Sequence, residues 1–244
     1  MQSGIYVSLS SQMALERRLT TIADNMANVN TVGFRATEVK FDEMLSKTGN
    51  DQNAQIAFVS QGNDYLSTKN GELAQTNNAL DFAIKGDAWF AIDTPVGQVL
   101  TRDGRFTMTD TGELVSVKGF PVLDAGGAPI QLNRAGGPPE VGADGQIQQD
   151  GRQVATLGLF TADVRNGFLR YENSGVTTVD NPQPVVDNPE IAVMQGYVEN
   201  SNVNGISQMT QLIQVNRAFE SVSALIRESE NSMGEAIKVL GGSS

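Results

Sequence analysis

The sequence predicts an α+β fold, with N- and C-terminal helices forming a discontinuous coiled-coil domain and an antiparallel β-sandwich or barrel-like domain inserted between them. Three observations predict it. Apolar residues recur every three to four positions at both ends, the period changes to two in the middle, and turn dipeptides punctuate that middle at short intervals. The 25 glycines suit such a middle, because glycine gives up most conformational freedom when it is ordered inside a helix or strand. The predicted boundaries are 1–47 and 197–244 for the helical domain, 48–75 for a linker or extended hairpin, and 76–196 for the β-rich domain.

The first helix rests on Ile5, Leu9, Met13, Leu15, Leu19, Ile22 and Met26, with Gln12, Glu16, Arg17, Thr20 and Asp24 left for other faces. No proline or glycine interrupts 5–28, and the helix is expected to stop in 28–33. There the asparagines tolerate left-handed backbone and Gly33 can take a positive φ. Asn25 and Asn28, three apart, share a face. They serve either to end the helix or to bond a neighbouring one.

In the middle, Asn70-Gly71, Asp103-Gly104, Thr111-Gly112, Asp144-Gly145, Asp150-Gly151 and Asn166-Gly167 read as turns. The runs 81–92, 98–101, 105–109, 113–117, 121–123, 146–148, 154–161 and 191–197 read as strands. The last helix follows a near-heptad stripe of Ile206, Met209, Ile213, Phe219, Val222, Ile226, Met233, Ile237 and Leu240, broken by Asn216 and Ser229. Asn204 is its expected N-cap, and Gly241-Gly242 its end.

Charge and composition narrow the function. The net charge is −11 and the chain has no histidine or cysteine. That removes Ser–His–Asp triads, thiolate nucleophiles, Fe–S clusters and His- or Cys-ligated zinc. The pI near 4.4 argues against a phosphate-binding surface, so no nucleic-acid partner is expected. Residues 1–47 balance five acids with five bases and 197–244 carry −2, leaving −9 on the middle. Nearly neutral ends can crowd together at little Coulomb cost, whereas an acidic middle prefers water. No run approaches the ~20 apolar residues of a membrane span, so no membrane insertion is expected. The start, Met1-Gln2-Ser3-Gly4-Ile5, lacks the basic leader and apolar run of a cleaved signal.

Carboxylates are the remaining acid–base option, but Asp103, Asp144 and Asp150 each precede glycine, where aspartate favours turns through its own backbone. Calcium-loop and nucleotide-loop patterns are missing, so no metal or cofactor is expected. Trp89, Phe90 and Phe82 are read as core packing rather than a ligand pocket. For the terminal stripes, patterning leaves packing within the chain and assembly between chains equally open.

The segment 23–35, Ala-Asp-Asn-Met-Ala-Asn-Val-Asn-Thr-Val-Gly-Phe-Arg, resembles the N-terminal signature of the flagellar rod and hook proteins. It departs from that signature at Asp24, where Asn is usual, and at Met26, where Leu is usual. Residues 196–204, followed by Leu212-Ile213 and 217–220, are similar to the matching C-terminal signature. Residues 81–86 with Trp89-Phe90, and 101–106 with 112–115, are similar to the family's β-domain motifs. The opening 5–12 is more similar to the proximal-rod branch than to the distal-rod branch.

The resemblance implies a non-catalytic axial component of the basal body. It would polymerise through its terminal helices into the proximal rod, the drive shaft that passes torque to the hook. Implied partners are other proximal- and distal-rod proteins, copies of the chain itself and the flagellar type III export apparatus, reached without a cleaved signal peptide. The implied assembly residues are Ile5, Leu9, Met13, Leu19, Ile22, Asn25, Met26, Asn28, Ile206, Met209, Leu212, Ile213, Phe219, Val222, Ile226 and Met233. The rival readings are a distal-rod protein, a monomeric periplasmic binding module, and a hydrolase using a carboxylate pair.

Overall fold

The computed structural model describes residues 2–41, 43–47, 55–60, 62–165, 167–186 and 188–242. Two helices bracket the strands, α1 (Gln2–Ala27) and α2 (Gly205–Gly241). The strands of the first half are β1 (Thr37–Lys40), β2 (Glu43–Lys47), β3 (Gln55–Val59), β4 (Asn63–Leu66), β5 (Leu73–Gln75), β6 (Phe82–Lys85), β7 (Trp89–Thr94), β8 (Gly97–Thr101), β9 (Phe106–Met108) and β10 (Leu114–Ser116). Those of the second half are β11 (Glu140–Val141), β12 (Gln146–Gln149), β13 (Arg152–Thr156), β14 (Leu159–Thr161), β15 (Phe168–Tyr171), β16 (Gly175–Thr178), β17 (Gln183–Pro184), β18 (Ala192–Gln195) and β19 (Tyr197–Glu199).

The fold is therefore α+β, with short strands in several sheets. The largest sheet has six strands in the order β15-β16-β8-β7-β14-β17, antiparallel at each pairing. A three-stranded sheet β11-β12-β13 and the ladders β1-β4, β2-β3, β5-β19, β6-β18 and β9-β10 complete the set. The barrel-like closure expected from the strand spacing is not found: among the described strands no sheet closes on itself. The six-stranded sheet ends at β17, a two-residue strand whose Pro184 has no N–H with which to extend a ladder.

The chain divides into two compact units. One comprises 1–26, 38–64 and 204–244; the other comprises 27–37 and 65–203. In the first unit, α1 runs uninterrupted because nothing in it removes a backbone donor. The 37-residue α2 starts at Asn204, whose side chain accepts the Ser207 N–H at 2.9 Å and satisfies a donor the helix itself cannot. Gly234 lies inside α2 without ending it. The hairpin β2–β3 pairs Met44 with Phe58 and Leu45 with Ala57. Of the stretch 48–75, expected as a linker or extended hairpin, 48–54 lies outside the described residues and the rest carries β3, β4 and β5.

In the second unit, β7 and β8 are apolar on both faces. Phe90, Ile92 and Val99 join one core with Phe82, Phe106, Leu114 and Ile147. Trp89, Ala91 and Leu100 join another with Leu66, Phe160 and Val176 on the opposite side. Alternate side chains of one strand thus feed two cores, the pattern of a strand buried on both faces. Trp89, Phe90 and Phe82 are packing residues, and Phe90 meets Phe106 edge-on at 5.3 Å. The Asp103 and Asp144 carboxylates each accept an N–H two residues on, from Arg105 and Gln146, which is turn chemistry.

Candidate assembly site

The stop of α1 is built by its own asparagine. The Thr31 amide donates to the Asn28 carbonyl at 3.1 Å, and the Thr31 hydroxyl donates to Asn28 Oδ1. Gly33 then turns with φ +71°. Asn28 thus serves termination, one of its two expected roles. Asn25 and Ile22 are buried, Leu19 and Met26 half-buried, and Leu9 and Met13 exposed. The side chain of Ile5 lies outside the described residues.

On α2 the single predicted stripe resolves into two. Leu212, Phe219, Val222, Ile226 and Met233 are half-buried on one face with Val215 at its centre. Val215 is the buried apolar side chain among those described for α2, and the sequence reading missed it because it sits one position off the stripe that begins at Ile206. Ile206, Met209 and Ile213 lie on another face, roughly 140° around the helix at 100° per residue, and all three are at least 50% exposed. Helix α1 repeats the arrangement. Tyr6, Leu9 and Met13 have the same three-then-four spacing and are exposed, while Ala14 and Ile22 are buried. Within this unit, the Gln12 amide donates to the Ser223 hydroxyl, so α1 and α2 touch. The arrangement therefore offers two exposed apolar triplets, one per helix, with no chemistry of their own.

A second feature, absent from the predicted residues, lies wholly in the other unit. The Glu199 carboxylate is 1% exposed and sits between two guanidiniums, Arg35 at 3.1 Å and Arg102 at 3.0 Å. Its Oε1 also accepts the Gly71 N–H at 2.8 Å. Arg102 donates to the carbonyls of Ile84 and Gly86, and Arg35 to the carbonyl of Lys69 and to Asn70 Oδ1. Both guanidiniums lie against the Trp89 ring, 5.7 and 5.4 Å from its centre. Burial pushes the Arg102 guanidinium down to about 10, the like charge of Arg35 adds to that push, and Glu199 and Asp87 oppose it. Burial also lowers Arg35. Both remain cations at neutral pH, so the cluster holds two positive charges and one negative.

Backbone pairing brings the same segments together. The Gly33 N–H donates to the Glu199 carbonyl at 2.7 Å, the Asn202 N–H to the Phe34 carbonyl, and the Ala36 N–H to Asn202 Oδ1. Phe34, Ala36 and Val203 form a small core of their own, and Arg170 lies over the Phe34 ring at 4.2 Å. The signal was present in the sequence: Arg35, Trp89, Arg102 and Glu199 each fall in one of the four quoted motifs, but nothing in the linear text said that these four meet.

Comparison with known proteins gives three family matches in chain order. Residues 5–35 match the flagella basal body rod protein family, 83–149 the flagellar hook protein FlgE/F/G D1 domain, and 194–239 the flagellar basal body rod FlgEFG protein C-terminal family. The flagellar basal-body rod protein FlgF of Rhizobium meliloti (strain 1021) is 62% identical over the full length of both chains. The FlgF of Mesorhizobium japonicum is 56% identical, again over both full lengths. The FlgG of Bacillus subtilis (strain 168) is 30% identical over 98% of this chain and 99% of its own. The chain belongs to the flagellar basal-body rod proteins, a structural and not an enzymatic family, and within it is more like the FlgF proteins than the FlgG protein.

Proposed function

We propose that this structural component of the flagellar basal body is a subunit of the proximal rod, and that it polymerises through α1 and α2. The carrying observation is the matched pair of apolar triplets, Tyr6-Leu9-Met13 and Ile206-Met209-Ile213, left in water by a chain that has the means to bury other apolar residues on the same helices. Exposed apolar stripes of this kind mark partner sites, and a second copy or another rod protein covers them. Half-buried Leu19, Met26, Leu212, Phe219, Val222, Ile226 and Met233 hold the helices in place for that contact, with Ile22 and Asn25. The acidic middle faces water. Torque passes along the assembled helices to the hook, and the subunit reaches the periplasmic rod through the type III export apparatus with its N-terminus uncleaved.

The test is complementation of a strain lacking the protein with Met209→Asp or Ile213→Asp. Both positions are exposed, so each variant should remain soluble and folded while losing swimming in soft agar and incorporation into purified basal bodies. Normal motility and normal basal bodies would overturn the reading.

A further inference from the structure

Among the charged groups of the β-rich unit, one arrangement goes beyond assembly and stands independently of it. Three stretches far apart in sequence converge on Glu199, with Arg35 also reaching Lys69 and Asn70 directly. They are 33–36, joined by the Arg35 ion pair and the Gly33 amide; 69–75, joined by the Gly71 amide and by pairing of β5 with β19; and 84–102, joined by Arg102. The first and last ionic partners are 164 and 97 residues apart in sequence, so loop-closure entropy opposes both contacts until the rest of the unit is in place. The cluster borders the core sheet, since Arg102 follows β8 and Trp89 opens β7, but the sheet has packing of its own. Strands β7 and β8 pair over five register positions and fill two apolar cores with side chains from elsewhere.

The seam is held instead by buried polarity. Two guanidiniums share one carboxylate, and the Nε atoms of Arg35 and Arg102 find no hydrogen-bond partner among the described residues. Such a cluster is stable only when complete, because removing one partner leaves an uncompensated charge in a low-dielectric site.

We propose that the segments 33–36, 69–75 and 197–202 form a strap closed by Glu199, which opens and closes as a unit separate from the six-stranded sheet. When closed, it fixes the end of the N-terminal segment beside the start of the C-terminal one. When open, both are released while the sheet keeps its core. Removing the carboxylate charge releases the strap, because two cations beside Trp89 are then left with only the exposed Asp87, 3.9 Å from Arg102, as counter-ion, whereas removing one cation as well returns the site to its original net charge with Asp87 still near Arg35.

Amide hydrogen exchange of the full chain, read by mass spectrometry, tests this with Glu199→Gln and with the double variant Arg102→Met/Glu199→Gln. In Glu199→Gln, peptides covering 33–36, 69–75 and 197–202 should exchange roughly tenfold faster or more, while Trp89–Thr101 stays as protected as in the wild type. In the double variant, protection of the strap should partly return. Equal loss of protection across strap and sheet would overturn the proposal, as would unchanged protection everywhere. If Glu199→Gln does not fold, the double variant is read alone by the same two criteria, and failure of both to fold overturns the proposal by showing that strap and sheet are one cooperative body.

Discussion

Phe90 illustrates how much one side chain carries. It has no exposed surface, meets Phe106 edge-on and sits where β7, β8 and β14 adjoin. Phe90→Ala should cost about 3–5 kcal/mol, the range for truncating a buried aromatic, read as a lower urea midpoint with the same slope. Gly104 carries a different burden. A Cβ there would lie 1.8 Å from the Phe82 carbonyl oxygen, an approach only glycine permits. Gly104→Ala should destabilise by about 1–3 kcal/mol through overpacking, whereas Gly151→Ala, with open space around it but φ +70°, should show only the smaller cost of its backbone angle. The sequence disclosed the turn at Asp103-Gly104 but not this close approach, because a dipeptide states a local angle and says nothing about which strand passes behind it.

At the scale of elements, α2 separates two apolar faces, one covered and one exposed, that one helical stripe had merged. Val215 faces inward while Met209 and Ile213 face out, so the same chemical change should have opposite consequences. Val215→Asp should lower helicity and raise amide exchange across 205–241 in the purified chain. Met209→Asp should leave both unchanged and act only when other subunits are present. Circular dichroism and hydrogen exchange on the two proteins side by side check this. The helix limits, the Asn204 cap and the stop after Asn28 were legible, since each is set by residues within one turn of the event. Which face is covered was not, because a pattern of spacings has no origin. The stripe read from Ile206 and the stripe centred on Val215 both satisfy a heptad. The Arg35–Glu199–Arg102 cluster was illegible for a related reason: its residues are widely separated and were brought together by sheet pairing, which no local period encodes.

For the whole molecule, charge is the dominant asymmetry. Nearly neutral ends and a middle of −9 mean that bringing copies together concentrates like charge carried by the middle of each chain. Salt shortens the range of that repulsion, from about 10 Å at 0.1 M to about 3 Å at 1 M, while leaving apolar burial intact. Self-association of the purified chain should therefore strengthen as salt is raised from roughly 0.05 to 0.5 M, within the range where screening changes most. Sedimentation velocity over a concentration series checks it, and weaker association with salt would show that complementary charges, rather than the apolar triplets, bring copies together.

The chain's lone tryptophan happens to be the ring clasped by both guanidiniums. Nature has thereby wired a lamp into the seam. Its emission should drift toward longer wavelength when water reaches the indole, so, excited apart from the four tyrosines, it can report opening of the seam in the unlabelled chain.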